Sequence, residues 1–156
     1  MKIRDCMKRN VFFLPAAATV GQAAVLFVSR RIGLLPVVDE QRRPIGLLGL
    51  RDMLNLALPT FAQLITDVDF VHDFGAVESA QPAAEALAQP VTRLMHPATT
   101  VPEDCGLLRA YVLMRQRDLH DLPVVDSTGR LVGIASRVDV ATAVLASWNL
   151  AEVGQP

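Results

Sequence analysis

Clusters of arginine or lysine are missing from this chain, and so is any excess of positive charge. Fifteen basic residues face 16 acidic ones, giving a formal charge of −1, and the pI is near 6.3. Such a chain has no electrostatic footprint for nucleic acid. Cysteine is scarce: Cys6 and Cys105 have no CxxC spacing and no disulfide framework around them, so both read as small apolar fillers in a reducing, cytoplasmic setting. His72, His96 and His120 fall at no metal-ligand spacing and have no cysteine cluster beside them, which argues against zinc. No nucleophile elbow, phosphate-binding GKS loop or paired catalytic carboxylates occur, so no enzyme chemistry is expected.

Long apolar runs are lacking as well. The stretch from Val11 to Val28 is broken by Pro15 and Gln22, too early for a transmembrane helix. Lys2, Arg4, Lys8 and Arg9 before Val11 to Val20 imitate a secretory leader. That reading fails because Leu14 to Leu26 aligns with Val101 to Leu113 in mid-chain, so cleavage would remove part of a repeated unit.

What the chain does have is an internal duplication. Ile32 to Asp52 reads IGLLPVVDEQRRPIGLLGLRD, and Leu119 to Asp139 reads LHDLPVVDSTGRLVGIASRVD. Pro36/Pro123, Asp39/Asp126, Gly46/Gly133 and Asp52/Asp139 share one offset of 87, and from Pro15/Pro102 to Leu58/Leu145 fourteen of 44 positions are identical without a gap. Within each copy, a β-branched LPVV run, a polar turn and a second apolar run predict two strands. A helix then opens at Gly49-Leu50-Arg51-Asp52 and at Ser136-Arg137-Val138-Asp139, the second with the spacing of an N-terminal cap. Upstream, Phe12 to Leu14 predicts a short strand, and the spacing of Val20, Ala23, Ala24, Phe27 and Val28 predicts a helix that Gly33 ends. Ile3 to Met7 (IRDCM) has its counterpart in Val91 to Met95 (VTRLM). Strand, helix, strand, strand, helix is the order expected in each half.

The expected divisions are repeat one over 1–58, a connector over 59–90, repeat two over 91–150 and a frayed tail over 151–156. In the connector, Asp67 to Glu78 places acids where a calcium loop needs them. It also puts Val71 at the fifth position and His72 at the sixth, where the sharp turn requires glycine, so calcium is not expected. Phe61, Leu64, Ile65 and Val68 continue a helical face beyond Pro59, and the alanine-rich stretch from Ser79 to Gln89 predicts a short helix.

The doubled LPVVD, followed by Gly133-Ile134-Ala135-Ser136-Arg137-Val138-Asp139 in one copy and Gly46-Leu47-Leu48-Gly49-Leu50-Arg51-Asp52 in the other, resembles a tandem pair of cystathionine-β-synthase (CBS) domains, a Bateman module. The first copy departs from the pattern at the serine position. The resemblance implies an α+β fold of two βαββα repeats about a pseudo-twofold axis. It also implies two clefts for adenosine compounds such as AMP, ADP, ATP or S-adenosylmethionine, no obligatory cofactor, a homodimer, and output through an unidentified effector protein. An aspartate offers two acceptors to ribose hydroxyls, while a serine, helix-start amides and an arginine favour a phosphate.

By position, the resemblance combines Ser136, Arg137 and Asp139 with Leu14, Thr19, Gly33 and Leu34 in one cleft. It combines Gly49, Leu50, Arg51 and Asp52 with Val101, Gly106, His120 and Asp121 in the other. The Ser136 cleft is the one expected to bind better, because the second lacks the hydroxyl and carries Asp121 where a phosphate would approach. Against this stands a plainer reading, in which Ser136 and Asp139 only cap a helix, an effect of about 1 kcal/mol, and the arginines are solvated. The alternative function is a dimerisation scaffold with empty clefts.

Overall fold

A computed structural model describes residues 1–57 and 81–148. The expectations for Asp67 to Glu78, for the helical face from Phe61 to Val68 and for the tail lie outside the described residues. A 3₁₀ turn at Ile3–Asp5 precedes β1 (Leu14–Pro15), α1 (Val20–Arg30), β2 (Leu34–Val38), β3 (Pro44–Gly49) and α2 (Leu50–Ala57). The second half follows with α3 (Ala84–Ala88), a 3₁₀ turn at Val91–Arg93, β4 (His96–Pro97), β5 (Val101–Pro102), α4 (Leu107–Gln116), β6 (Asp121–Val125), β7 (Leu131–Ser136) and α5 (Arg137–Ala146). Two βαββα repeats result, as the duplicated pattern requires.

The two sheets are built alike. β1 runs parallel to β2, and β2 pairs antiparallel with β3 through Leu34↔Gly49, Leu35↔Leu48 and Pro36↔Leu47. In the second sheet β5 runs parallel to β6, and β6 pairs with β7 through Asp121↔Ser136, Leu122↔Ala135 and Pro123↔Ile134. Each register puts the residue before the LPVV run beside the residue that starts the following helix.

α1 begins with a capping box in which Thr19 accepts from the Gln22 amide at 3.2 Å and donates its own amide to the Gln22 side chain. Its end departs from the glycine expectation. The left-handed residue is Arg31 (φ 50), whose amide closes on Phe27 O, and Gly33 lies beyond it. After α4 the left-handed residue is Asp118 (φ 51), one position further on, past the cap residue Arg117. An aspartate tolerates that conformation better than most side chains, because its short carboxylate can bond locally.

The lead-in segments are exchanged between the repeats, which the duplication alone does not reveal. Ile3 and Met7 pack in the second repeat's core with Val101, Cys105, Leu107, Met114, Leu122 and Val140. Val91 joins the first repeat's core with Leu14, Ala23, Phe27, Leu35 and Leu48, with Met95 against it. Lys8 bridges to Ile134 of β7, and β4 pairs His96 with Leu47 and Pro97 with Gly46 of β3.

The exchange explains the glycine that opens each motif. A Cβ on Gly46 would collide with Met95 Sδ, and one on Gly133 with Met7 Sδ. Full burial of Ile3 and Val91 contributes about 1.5–3 kcal/mol each, and in each case the stabilisation goes to the opposite repeat. Neither half can complete its core alone.

At the far end of the module the hairpins also meet. Leu131 N donates to Arg42 O at 3.0 Å, Arg130 Nε donates to Gln41 O at 3.1 Å, and Val11, Val38 and Leu131 form a small shared core. Among the described residues no helix is long and apolar enough to cross a membrane.

Candidate ligand-binding site

Each motif places a helix start beside the turn that enters its own LPVV strand. In the first repeat, Asp52 Oδ2 accepts from the Gly49 amide at 2.8 Å, and the Leu50 amide donates to Gly33 O at 3.1 Å. In the second, Asp139 Oδ2 accepts from Ser136 N at 2.8 Å and from Ser136 Oγ at 2.7 Å, while the Asp139 amide donates back to Ser136 Oγ at 3.1 Å. The Arg137 amide donates to His120 O at 2.8 Å. Ser136 and Asp139 therefore form a complete capping box, as their spacing predicts.

The exchanged lead-ins then reach across to both aspartates. Lys8 Nζ lies 3.3 Å from Asp139 Oδ2, and His96 Nε2 lies 2.7 Å from Asp52 Oδ1. Both aspartates are largely covered, at 19% and 15% side-chain exposure, whereas Lys8 and His96 are exposed at 65% and 69%. Burial pushes the Asp139 carboxyl up, but the Ser136 bonds and Lys8 outweigh it and hold the group below the usual carboxylate range.

A cleft of about 630 Å³ opens on the Asp52 side, within the usual range for small-molecule sites. The first repeat contributes Gly33, Leu34, Leu47, Gly49, Leu50, Arg51 and Asp52. The second contributes His96, Pro97, Thr99 and the run Arg117, Asp118, Leu119, His120 and Asp121. Gly33 and Leu34 thus lie with Gly49 to Asp52 and not in a separate set with Ser136, because the β2–β3 register fixes them beside their own motif. His120 and Asp121 border both motifs: they line this cleft and pair with Arg137 and Ser136.

Leu14 and Val101 are buried strand residues, Thr19 caps α1, and Gly106 stands at the start of α4 in a bridge with Lys2; none of the four lines this cleft.

Arg137, expected to favour a phosphate, is committed elsewhere. Its Nε donates to Leu119 O at 2.7 Å, and one terminal nitrogen reaches Met114 O at 3.4 Å and Asp118 Oδ1 at 3.3 Å, so the guanidinium closes the end of α4. Asp118 also meets Arg51 across the repeats at 3.5 Å. The bonds from Arg137 first, and then from Arg51, hold the Asp118 carboxyl below its ordinary value. Asp121 differs, since burial pushes its carboxyl up against the milder influence of Lys8 and His120. No hydrogen bond to its side chain occurs among the described residues.

Sequence reasoning missed His96, Thr99, Arg117 and Asp118. His96 was within reach, because the duplicated lead-ins put it 88 residues after Lys8, and a shared position ahead of a shared motif is a signal. Thr99 and Asp118 fall outside the motif and carry no such mark, and Arg117, though matched by Arg30 at the same offset, lies outside the motif too.

Comparison with known proteins agrees with this fold. The CBS domain model matches residues 3–58 and 91–146, and the chain belongs to the CBS domain family. Its two copies make it a tandem pair. The chain is 32% identical over 145 residues to the chloroplastic CBS domain-containing protein CBSX1 of Arabidopsis thaliana, covering 88% of this chain and 61% of that protein. It therefore spans about three fifths of that relative's length. The crystal structure of CBSX2 in complex with AMP superposes with a TM-score of 0.69 at 26% identity, covering 93% of this chain and 96% of the other. The CBS domain pair of MJ0100, in complex with 5′-methylthioadenosine and S-adenosyl-L-methionine, has the same fold, with a TM-score of 0.68 at 18% identity over 95% of this chain and 98% of the other.

Proposed function

We propose that the chain senses an adenosine nucleotide or derivative in the Asp52 cleft and passes the binding event to a partner protein. The observation that carries this reading is the placement of Asp52, 15% exposed and hydrogen-bonded to its own helix start, at the wall of a 630 Å³ cleft built from both repeats. Among the described residues, its Oδ1 is held only by the exposed His96. A ribose diol offers two donors to that carboxylate and can take the place of His96. Leu34, Leu47, Leu50 and Pro97 supply apolar walls for a base. The AMP complex of CBSX2 supports the ligand class.

A ligand bridging Gly49 to Asp52 and His120 to Asp121 touches both repeats, so it favours whichever relative arrangement of the two completes its contacts. Exposed apolar side chains on α1 (Val25, Val28) and α4 (Leu108, Val112) are the surfaces we assign to a homodimer or to the effector. The Ser136 cleft, first choice on sequence, becomes the second site in this proposal, because Ser136, Arg137 and Asp139 are already engaged with one another, with α4 and with Lys8.

The test is calorimetric titration of the protein with AMP and with adenosine, repeated on Asp52→Ala and Asp139→Ala. Binding lost in Asp52→Ala and kept in Asp139→Ala supports the assignment. No heat from either ligand at millimolar concentration, with the fold intact by circular dichroism, favours the empty scaffold.

A further inference from the structure

The charges lining the Asp52 cleft do not suit a polyphosphate. Arg51 and Arg117 bring two positive charges and His96 and His120 two imidazoles, of which His96 is held on Asp52, while Asp52, Asp118 and Asp121 bring three carboxylates. Arg51 is paired with Asp118, and Arg137, the other arginine near this turn, is bonded to Asp118 and to the end of α4. The helix start, which elsewhere in proteins receives phosphate through free amides, has its first two amides occupied: Gly49 N by Asp52 and Leu50 N by Gly33 O.

Asp121 lines the cleft beside Gly33, where a Cβ on the glycine would come within 3.7 Å of its Oδ2. Its partly buried carboxylate has unfilled acceptor capacity, and such a group favours a donor or a cation.

Resting on the adenosine reading above, we propose that Asp118 and Asp121 make this cleft selective by charge. Adenosine derivatives that carry no phosphate, or that carry a positive sulfonium or amino group, bind better than nucleotides with two or three phosphates. The geometry supplies both halves of that selection. Asp118 withdraws Arg51 from any incoming anion, and Asp121 presents an unfilled acceptor to an N–H donor or a cationic centre. A triphosphate would have to enter against both carboxylates with Arg117 as the lining arginine not held by Asp118.

The experiment is a titration of the intact protein, in EDTA and at fixed ionic strength, with adenosine, S-adenosylmethionine, AMP and ATP. It is repeated on Asp121→Asn and Asp118→Asn, both of which keep side-chain shape and remove charge. We expect adenosine and S-adenosylmethionine to bind at least tenfold more tightly than ATP, with AMP between them. Each variant should narrow that gap at least threefold by improving ATP. ATP binding as tightly as adenosine, or a gap unmoved in both variants, overturns the selection while leaving the adenosine reading in place. Failure of all four ligands overturns the adenosine reading itself and the selection with it.

Discussion

The Asp52 and Ser136 sides of this module are built on one duplicated backbone, yet they differ where the copies diverge outside the motif. On the Asp52 side Thr99, Arg117 and Asp118 line open space. The positions 87 residues earlier replace Thr99 by Phe12 and Asp118 by Arg31 while keeping the arginine as Arg30, and there the Arg30 guanidinium lies over the Phe12 ring, 4.7 Å from its centroid. Gly49 and Leu50 on one side face Ser136 and Arg137 on the other, whose hydroxyl and guanidinium are consumed in capping. A complete motif is therefore the better helix start, and the incomplete one leaves room for a ligand beside the Asp121 carboxylate. Motif completeness and site availability are separate properties.

The largest effect expected on stability comes from removing the feature both repeats share. Gly46→Ala should destabilise the protein by about 1–3 kcal/mol through overpacking against Met95, a drop of several degrees in Tm for a chain of this size. Gly133→Ala should do the same against Met7. Melting curves of each variant, alone and combined with truncation of its methionine to alanine, check the cause. A loss unaffected by the second substitution would sink the exchanged-segment explanation.

Next comes the contrast between the aspartates. Asp52→Ala should weaken an adenosine ligand by roughly 1.5–3 kcal/mol, about 10- to 150-fold, the usual cost of losing hydrogen bonds to a charged group. Ser136→Ala should leave that affinity alone and cost on the order of 1 kcal/mol of stability as a lost cap. Titration and denaturant unfolding on both variants separate the two roles, and reversed outcomes would return the main site to the Ser136 side. Exchanging the wall residues sharpens the same point: Thr99→Phe should abolish binding in the Asp52 cleft, and Phe12→Thr should raise the calorimetric stoichiometry from one toward two.

A smaller effect follows from Asp121. Its folded-state carboxyl is raised, so the native protein holds that proton more tightly than the unfolded chain. The contribution is favourable in acid and is lost as pH rises through the folded value. Asp121→Asn should accordingly raise Tm slightly at pH 7 and leave it unchanged near pH 3, where the group is protonated in both states. Melts at the two values decide it. Smallest is Lys8→Ala, within about 1 kcal/mol because the lysine is largely exposed; a larger loss in thermal melts would mean that Lys8 does more than screen Asp139.

Much of the fold was readable because its signals are local and doubled. The strand pairs and the helices at 20–30 and 107–116 follow from apolar periodicity, and the Ser136 cap follows from a three-residue spacing. Gly33 misled, because a left-handed turn can be taken by Arg31 when the next strand pulls the chain out of the helix. The candidate site was half legible. Gly49 to Asp52, His120 and Asp121 were named together and line one cleft, while Gly33 and Leu34 were placed in the opposite cleft for want of the strand register.

By itself the sequence determined a tandem pair of βαββα repeats, the family, and the two aspartates that open matching helices. Those are properties of short segments, set by periodicity, turn chemistry and caps. Only the tertiary structure decided that the lead-ins cross over, that Lys8 and His96 reach the opposite aspartates, that Arg137 is spent on α4, and that a cleft of about 630 Å³ lies beside the motif without the serine. Each of these depends on contacts between residues far apart in the chain, where packing and charge pairing select among arrangements that the local signals leave equally open.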